Sequence, residues 1–286
     1  MLGFGPRGPG RLPIAGWLVT CMLAVPRLAV ASDSPEQHAL FSDGWSVDVG
    51  VFNPDRELNL GVNGSLGNEN LSIDFDERFN IGATGDLFSA ELSWRFNDRW
   101  MLLGQYFEAR DTGSATLGED LAWADVVFGA NTGVTAGTNF TLIRTFIGRK
   151  LDTSERHDVG LGGGLHQLNV GAFIEGTIVV NGNSMARRES VSTSAILPNA
   201  GAWYWYSISP RWILKSRLDV LAARVGKYSG LLVNASLGVN FQAFEHAGIG
   251  VSYNYFELDI SVDEPNWKGN IETTYDGVFL YLSAYF

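Results

Sequence analysis

The chain has 286 residues, with 20 Lys and Arg against 31 Asp and Glu, a formal net charge of −11 and 45% hydrophobic residues. That acidity excludes a nucleic-acid partner, which needs clustered Lys and Arg. Cys21 is the sole cysteine, so no disulfide holds the fold, and past residue 31 no run of 18 apolar residues is available for a transmembrane helix.

Residues 1–31 read as a cleavable secretory signal peptide. Arg7 and Arg11 form a basic start, Ile14 to Val25 is largely apolar, and Ala29-Val30-Ala31 supplies the small-x-small cleavage pattern. The signal holds three basic residues and no acidic one, which leaves a mature chain with 17 basic and 31 acidic residues. Without a spanning helix, such an exported chain can enter a membrane only as a closed barrel, because hydrocarbon solvates no unpaired backbone group.

Residues 32–43 are polar and predict a short periplasmic lead-in. Gly44 to Phe52 alternates, with Trp45, Val47, Val49 and Val51 on one face, and predicts a first strand. Residues 53–84 contain two alternating runs, around Leu58–Val62 and Leu71–Phe75, each shorter than the roughly 9–11 residues of a membrane strand. They predict either two extra barrel strands or a hairpin standing above the membrane. From Asp86 onward Phe88, Ala90, Leu92, Trp94 and Phe96 alternate with Ser89, Glu91, Ser93 and Arg95, and Asn97-Asp98-Arg99 makes a tight turn. Trp100–Arg110 has no decided face. In the next strand, 138–150, Arg144 falls on the parity of Phe140, Leu142 and Phe146, so its faces stay unassigned.

A parity shift between Leu165 and Leu168 predicts a β-bulge in the Gly-rich strand that starts at Val159. Further strands follow from Ile196, Trp212, Leu231 and Ala247, and Trp212, Leu214, Leu218 and Val220 oppose Lys215, Arg217 and Asp219. Residues 111–133, 181–194 and 261–269 read as long outer loops. Those at 97–99, 151–157, 209–211 and 243–246 read as short periplasmic turns, and aromatic residues gather beside them.

In the last stretch Val278, Leu280, Leu282, Ala284 and Phe286 share one parity, against Phe279, Tyr281, Ser283 and Tyr285. A terminal Phe on an alternating strand resembles the assembly signal of Gram-negative outer-membrane β-barrel proteins, carried here by Val278, Leu280, Leu282 and Phe286. The resemblance implies an all-β, up-and-down antiparallel transmembrane barrel over residues 44–286, with an even count of about 10 to 12 strands. It also implies residence in the cell outer membrane, with outer-membrane lipid, lipopolysaccharide and the barrel-assembly machinery as partners. The alternative is a secreted soluble β-sandwich. Strand length, loop asymmetry and the apolar last strand oppose it.

With the apolar parity on lipid, the polar parity lines the lumen, since a charge facing lipid at mid-depth costs about 2–4 kcal/mol. The lumen and constriction candidates are Glu91, Arg95, Lys215, Arg217, Asp219 and Asn234. In a ten-stranded ring the strands after Asp86 and after Trp212 are opposed. These residues therefore predict a mixed-charge layer in the lower lumen whose groups pair across it. No G-x-S-x-G, H-E-x-x-H or phosphate-loop pattern occurs, so no catalytic residue, metal or cofactor is expected. His166, the histidine placed in the barrel wall, reads as a satisfied polar residue. The leading reading is a narrow porin-like or structural barrel without catalysis. An outer-membrane hydrolase of phospholipid, lipid A or peptide and a surface-binding or adhesion barrel are the alternatives.

Overall fold

A computed structural model describes residues 37–42, 44–63, 71–74, 78–79, 87–123, 126–151, 154, 156–180, 183–225, 228–263 and 268–286. The expected signal peptide, 1–31, lies outside them. A short helix, α1 (Ala39–Ser42), precedes β1 (Trp45–Asn63), β2 (Leu71–Asp74), β3 (Leu87–Asn97) and β4 (Trp100–Thr116). A small pair, β5 (Leu121–Trp123) and β6 (Val126–Phe128), comes next, then β7 (Gly133–Lys150), β8 (His157–Val180) and β9 (Asn183–Ser209). The chain ends with β10 (Trp212–Val225), β11 (Tyr228–Phe244), β12 (Ala247–Asp263) and β13 (Lys268–Tyr285).

Ten strands, β1, β3, β4 and β7 to β13, pair antiparallel with their neighbours, and β13 returns to β1 with register Ser46↔Tyr285 to Asn63↔Lys268. At that seam Trp45 and Phe286 exchange backbone hydrogen bonds of 2.8 and 2.9 Å. Closure removes the edge that an apolar last strand would otherwise expose. Among the described residues β2 pairs with β1 alone, Asn59↔Asp74 to Val62↔Leu71, so residues 53–63 extend β1 and residues 71–74 add no strand to the ring.

Two expectations need correction. β8 keeps one register with both neighbours, and no bulge interrupts it; the register shifts lie at Arg95/Asn97, Trp212/Ile213 and Gln242/Phe244, beside the short turns. The outer loops are also shorter than expected, because the strands run on: β8 and β9 continue as a hairpin to Val180↔Asn183, and β12 and β13 to Asp263↔Lys268.

The apparent bulge has a different cause, an inversion of polarity along the strand. On the lower part of β7 and β8, Ile143, Ile147, Leu161 and Leu165 face out and are 39–53% exposed, while Arg144 and His166 face in. A few residues higher, Phe140, Leu142, Leu168, Val170, Ala172 and Ile174 are the buried inward residues, and Asn139, Gln167 and Glu175 face outward. The lower wall therefore meets lipid and the upper wall meets water. Each section buries whichever side its surroundings reject.

Among the described residues the ring also divides toward its extracellular end. β3 begins at Leu87, opposite Phe52, and β9–β10 pairing ends at Ala200↔Val220. Beyond those points β4, β7, β8 and β9 form one sheet, and β10 to β13 with β1 form a second. Their inner faces meet across an aromatic contact: Phe140–Phe256 at 5.6 Å, Phe107–Tyr275 at 5.3 Å and Phe52–Phe107 at 5.4 Å between ring centroids. Such tilted and edge-on pairs are the favoured aromatic arrangements.

Candidate functional site in the barrel lumen

The lumen is filled in three layers. At the periplasmic end Ala39 and Leu40 of α1 pack with Met101, Leu103, Phe146, Trp203, Trp205, Ile213 and Tyr285. Residues His38 to Leu40 thus lie in the barrel's interior: Ala39 N–H donates to Gln242 Oε1 at 2.9 Å, and Arg95 Nη1 donates to the Phe41 carbonyl at 3.1 Å. Trp203 fits because β7 and β8 present glycines beneath it; a Cβ on Gly148 or Gly160 would stand 2.2 or 2.1 Å from the indole. The extracellular end holds the aromatic and aliphatic cluster that includes Phe52, Phe107, Phe140, Leu168, Phe256 and Tyr275. Phe79 and the β5–β6 residues Leu121, Trp123 and Phe128 belong to it.

Between these apolar layers lies the ionic one. Arg144 Nη2 meets Asp219 Oδ1 at 2.7 Å, with both side chains 0% exposed. Arg217 lies 3.3 Å from Asp219 Oδ2 and 3.7 Å from Glu91 Oε1 across the lumen. Lys215 Nζ meets Asp48 Oδ2 at 2.5 Å. Gln105 Oε1 accepts from Arg217 Nη2 at 2.6 Å and from Asn234 Nδ2 at 3.1 Å. A second chain runs toward the periplasm: Ser283 Oγ donates to Asp48 Oδ1 at 2.6 Å, Asn240 Nδ2 to Ser283 at 2.6 Å, and Tyr285 OH to Asn240 at 2.5 Å. Three cations, Arg144, Lys215 and Arg217, thus face three carboxylates, Asp48, Glu91 and Asp219. Burial in such a layer is tolerated because each charge has a partner of the opposite sign.

Of the expected lumen residues, Glu91, Lys215, Arg217, Asp219 and Asn234 meet in this layer. Arg95 does not. It pairs with Asp158 at 2.6 Å near the periplasmic mouth, where Trp203 Nε1 also donates to Asp158 at 2.9 Å. Val278, Leu280, Leu282 and Phe286 lie on the outer face, 42–68% exposed. Sequence reasoning missed Arg144, Asp158, Gln105 and His38 as interior groups. The signal for Arg144 was present as a lone charge on an otherwise apolar parity. His166 is fully buried and sits opposite Arg144 in the β7–β8 register. Among the described residues its ring has a hydrogen-bond contact only with Asn234, at 3.5 Å, and no carboxylate orients it as a base. A cavity of about 30 Å³ beside Asp48, Glu91, Lys215 and Arg217 is room for about one water.

The outer surface carries a belt of exposed apolar residues with aromatic contacts at its periplasmic border, among them Trp45 stacked on Trp94 at 4.6 Å and Trp212 against Phe241 at 4.8 Å. Among solved structures, the outer-membrane protease OmpT of Escherichia coli aligns with 90% of this chain and 99% of its own, at a TM-score of 0.53 and 10% identity. The chain has the fold of an outer-membrane β-barrel. OprG of Pseudomonas aeruginosa aligns over 89% of this barrel and 99% of its own chain at a TM-score of 0.34 and 9% identity. Ail of Yersinia pestis aligns over 84% and 99% at 0.30 and 12%. No protein-family model and no curated protein matches the barrel's sequence. At these identities the likeness concerns the fold alone.

Removing Asp219 strands a guanidinium in a dry interior. Asp219→Ala is expected to destabilise the barrel by about 3–5 kcal/mol, while Arg144→Met with Asp219→Leu recovers most of the loss. Urea unfolding followed by the mobility of unheated samples on gels measures both. His38 gives a pH dependence. Burial, with Lys215 nearby, holds its imidazole down at about 4 against an ordinary 6.5. The docked lead-in therefore binds a proton less readily than the undocked one, so acid favours undocking. Docking should be complete above about pH 6.5 and weaken as pH falls toward 4, and His38→Leu should remove the dependence. Clipping ahead of Gly44 by a protease active across that range reads the effect.

Proposed function

We propose that this barrel is a closed structural barrel of the outer membrane that passes no solute and carries no catalytic centre in its lumen. The carrying observation is the stack of two apolar layers around a charge-balanced one, with only about 30 Å³ of space beside its ion pairs. A solute-selective pore needs charges left free for the passing solute, whereas here each charged side chain of the layer faces one of the opposite sign. The hydrolase alternative draws on the neighbour named as a protease, but His166 is sealed from solvent and has no acidic partner among the described residues.

The surface-binding alternative has one supporting observation. β8 and β9 rise well past the apolar belt, with Arg188 half-exposed on the outer face and Arg187 half-exposed on the opposite face near the tip. In this reading the membrane section serves as the mount, and the extracellular sheets are the working surface.

The last strand acts, in the same proposal, as the signal read by the barrel-assembly machinery. Val278, Leu280, Leu282 and Phe286 keep their apolar side chains outward, available before the ring closes.

Purified barrels in a planar bilayer should give no conductance steps, and deletion of residues 32–42 should leave them silent because the extracellular layer remains. Stable channels from the intact protein would refute the closed-lumen reading. Removal of Phe286 should cut the amount of heat-modifiable barrel in outer membranes severalfold, without changing unfolding of the fraction that does assemble. Undiminished assembly would withdraw its role as a signal.

A further inference from the structure

β9 and β10 pair from Trp212↔Ser209 to Val220↔Ala200 and no further, although β9 reaches back to Asn183 and β10 continues to Val225. The apolar belt does not stop at that last rung. Val220 is 43% exposed, and Ile196, beyond the rung on β9, is 58% exposed. Polar Gln167 lies opposite Ile196 on β8, so the strands part at the rim of the hydrocarbon, at the depth of lipid head groups. Unpaired N–H and C=O groups of a sheet edge find no partner in hydrocarbon and need one supplied at that depth.

Two residues mark the same place. Pro198, two positions past the rung, has no N–H to leave unpaired. Asn199, one position past it, is only 7% exposed, and neither its Nδ2 nor its Oδ1 has a hydrogen-bond partner. Buried amides without partners are rare enough to require an explanation. Nearby, Arg144 is engaged through Nη2 on Asp219, the neighbour of Val220, while its Nε and Nη1 are buried without a partner.

We infer that the β9–β10 notch binds the polar head group of an outer-leaflet lipid, whose acyl chains stay against Ile196 and Val220. A phosphate-bearing and hydroxyl- or amine-bearing head group brings both the acceptors and the donors that the strand edges and Asn199 lack. Lipid A and glycerophospholipids share that chemistry. A partner's β-strand would satisfy the backbone edges but would leave the inward amide of Asn199 unmatched. The site does not depend on whether the lumen conducts.

The test uses full-length mature barrel refolded without lipopolysaccharide in neutral maltoside micelles. It is then exposed separately to lipopolysaccharide, phosphatidylglycerol and phosphatidylethanolamine and weighed by native mass spectrometry. The expected result is one retained lipid per barrel. Retention should fall at least tenfold in Asn199→Leu and in Pro198→Val, which restores an N–H and lets the β9–β10 pairing extend. Retention of lipopolysaccharide alone assigns lipid A as the source, and retention of phospholipid alone assigns the glycerophosphate head; either supports the site. No retained lipid from any source overturns it, and so does wild-type retention by a Pro198→Val barrel that migrates as folded. If Asn199→Leu does not fold, Pro198→Val decides.

Discussion

The constraint on which everything else rests is the matching of backbone groups around a ring. In hydrocarbon an open sheet edge is not tolerated, so β13 must find β1. It does so over the whole length of both strands, down to the exchange between Trp45 and Phe286. Once the ring is closed, each strand has an inner and an outer face, and every later choice of side chain follows from what lies on either side of the wall. From the rim of the hydrocarbon outward the constraint relaxes. There water can serve unpaired groups, and the ring divides into two sheets held by aromatic packing.

The lumen shows how a narrow barrel disposes of its interior. Ten strands leave space that side chains can fill, and here they fill it with layers of different character. The charged layer pairs groups from opposed strands, such as Arg217 with Glu91 and Lys215 with Asp48, and so ties the two halves of the ring together through the middle. α1 closes the lower end from within, as a piece of chain that does not belong to the wall. Replacing such a buried network with well-packed apolar side chains is often neutral or stabilising, whereas removing one partner alone is strongly destabilising.

How much of this was legible in the sequence depended on whether a strand kept its phase. β3, β10 and β11 present one apolar and one polar side across the membrane, so their faces and the lumen positions of Glu91, Lys215, Arg217 and Asn234 could be read directly. β4, β7 and β8 change character where they leave the lipid. The same parity carries Arg144 and then Leu142 and Phe140, which blurs any single-period reading and imitates a bulge in β8. The Ser- and Arg-rich tip of β9 read as a loop because water-exposed strands are polar outside and need little bulk inside. Pairing partners such as Asp158 for Arg95, or the docking of His38 beneath the ring, arise from tertiary placement. Local spacing does not encode them.

The inversion of polarity also fixes how deeply the protein sits. A barrel whose outer wall were greasy along its whole length could ride up or down as bilayer thickness changes. Here Gln167, Asn169 and Glu175 stand on the outside above Leu165 and cannot sink without losing their water, while below them the aromatic pairs around Trp45 and Trp212 resist being drawn upward. Held between a polar collar and an aromatic keel, the cylinder has one resting height. A thinner or thicker bilayer must bend its own lipids to meet it.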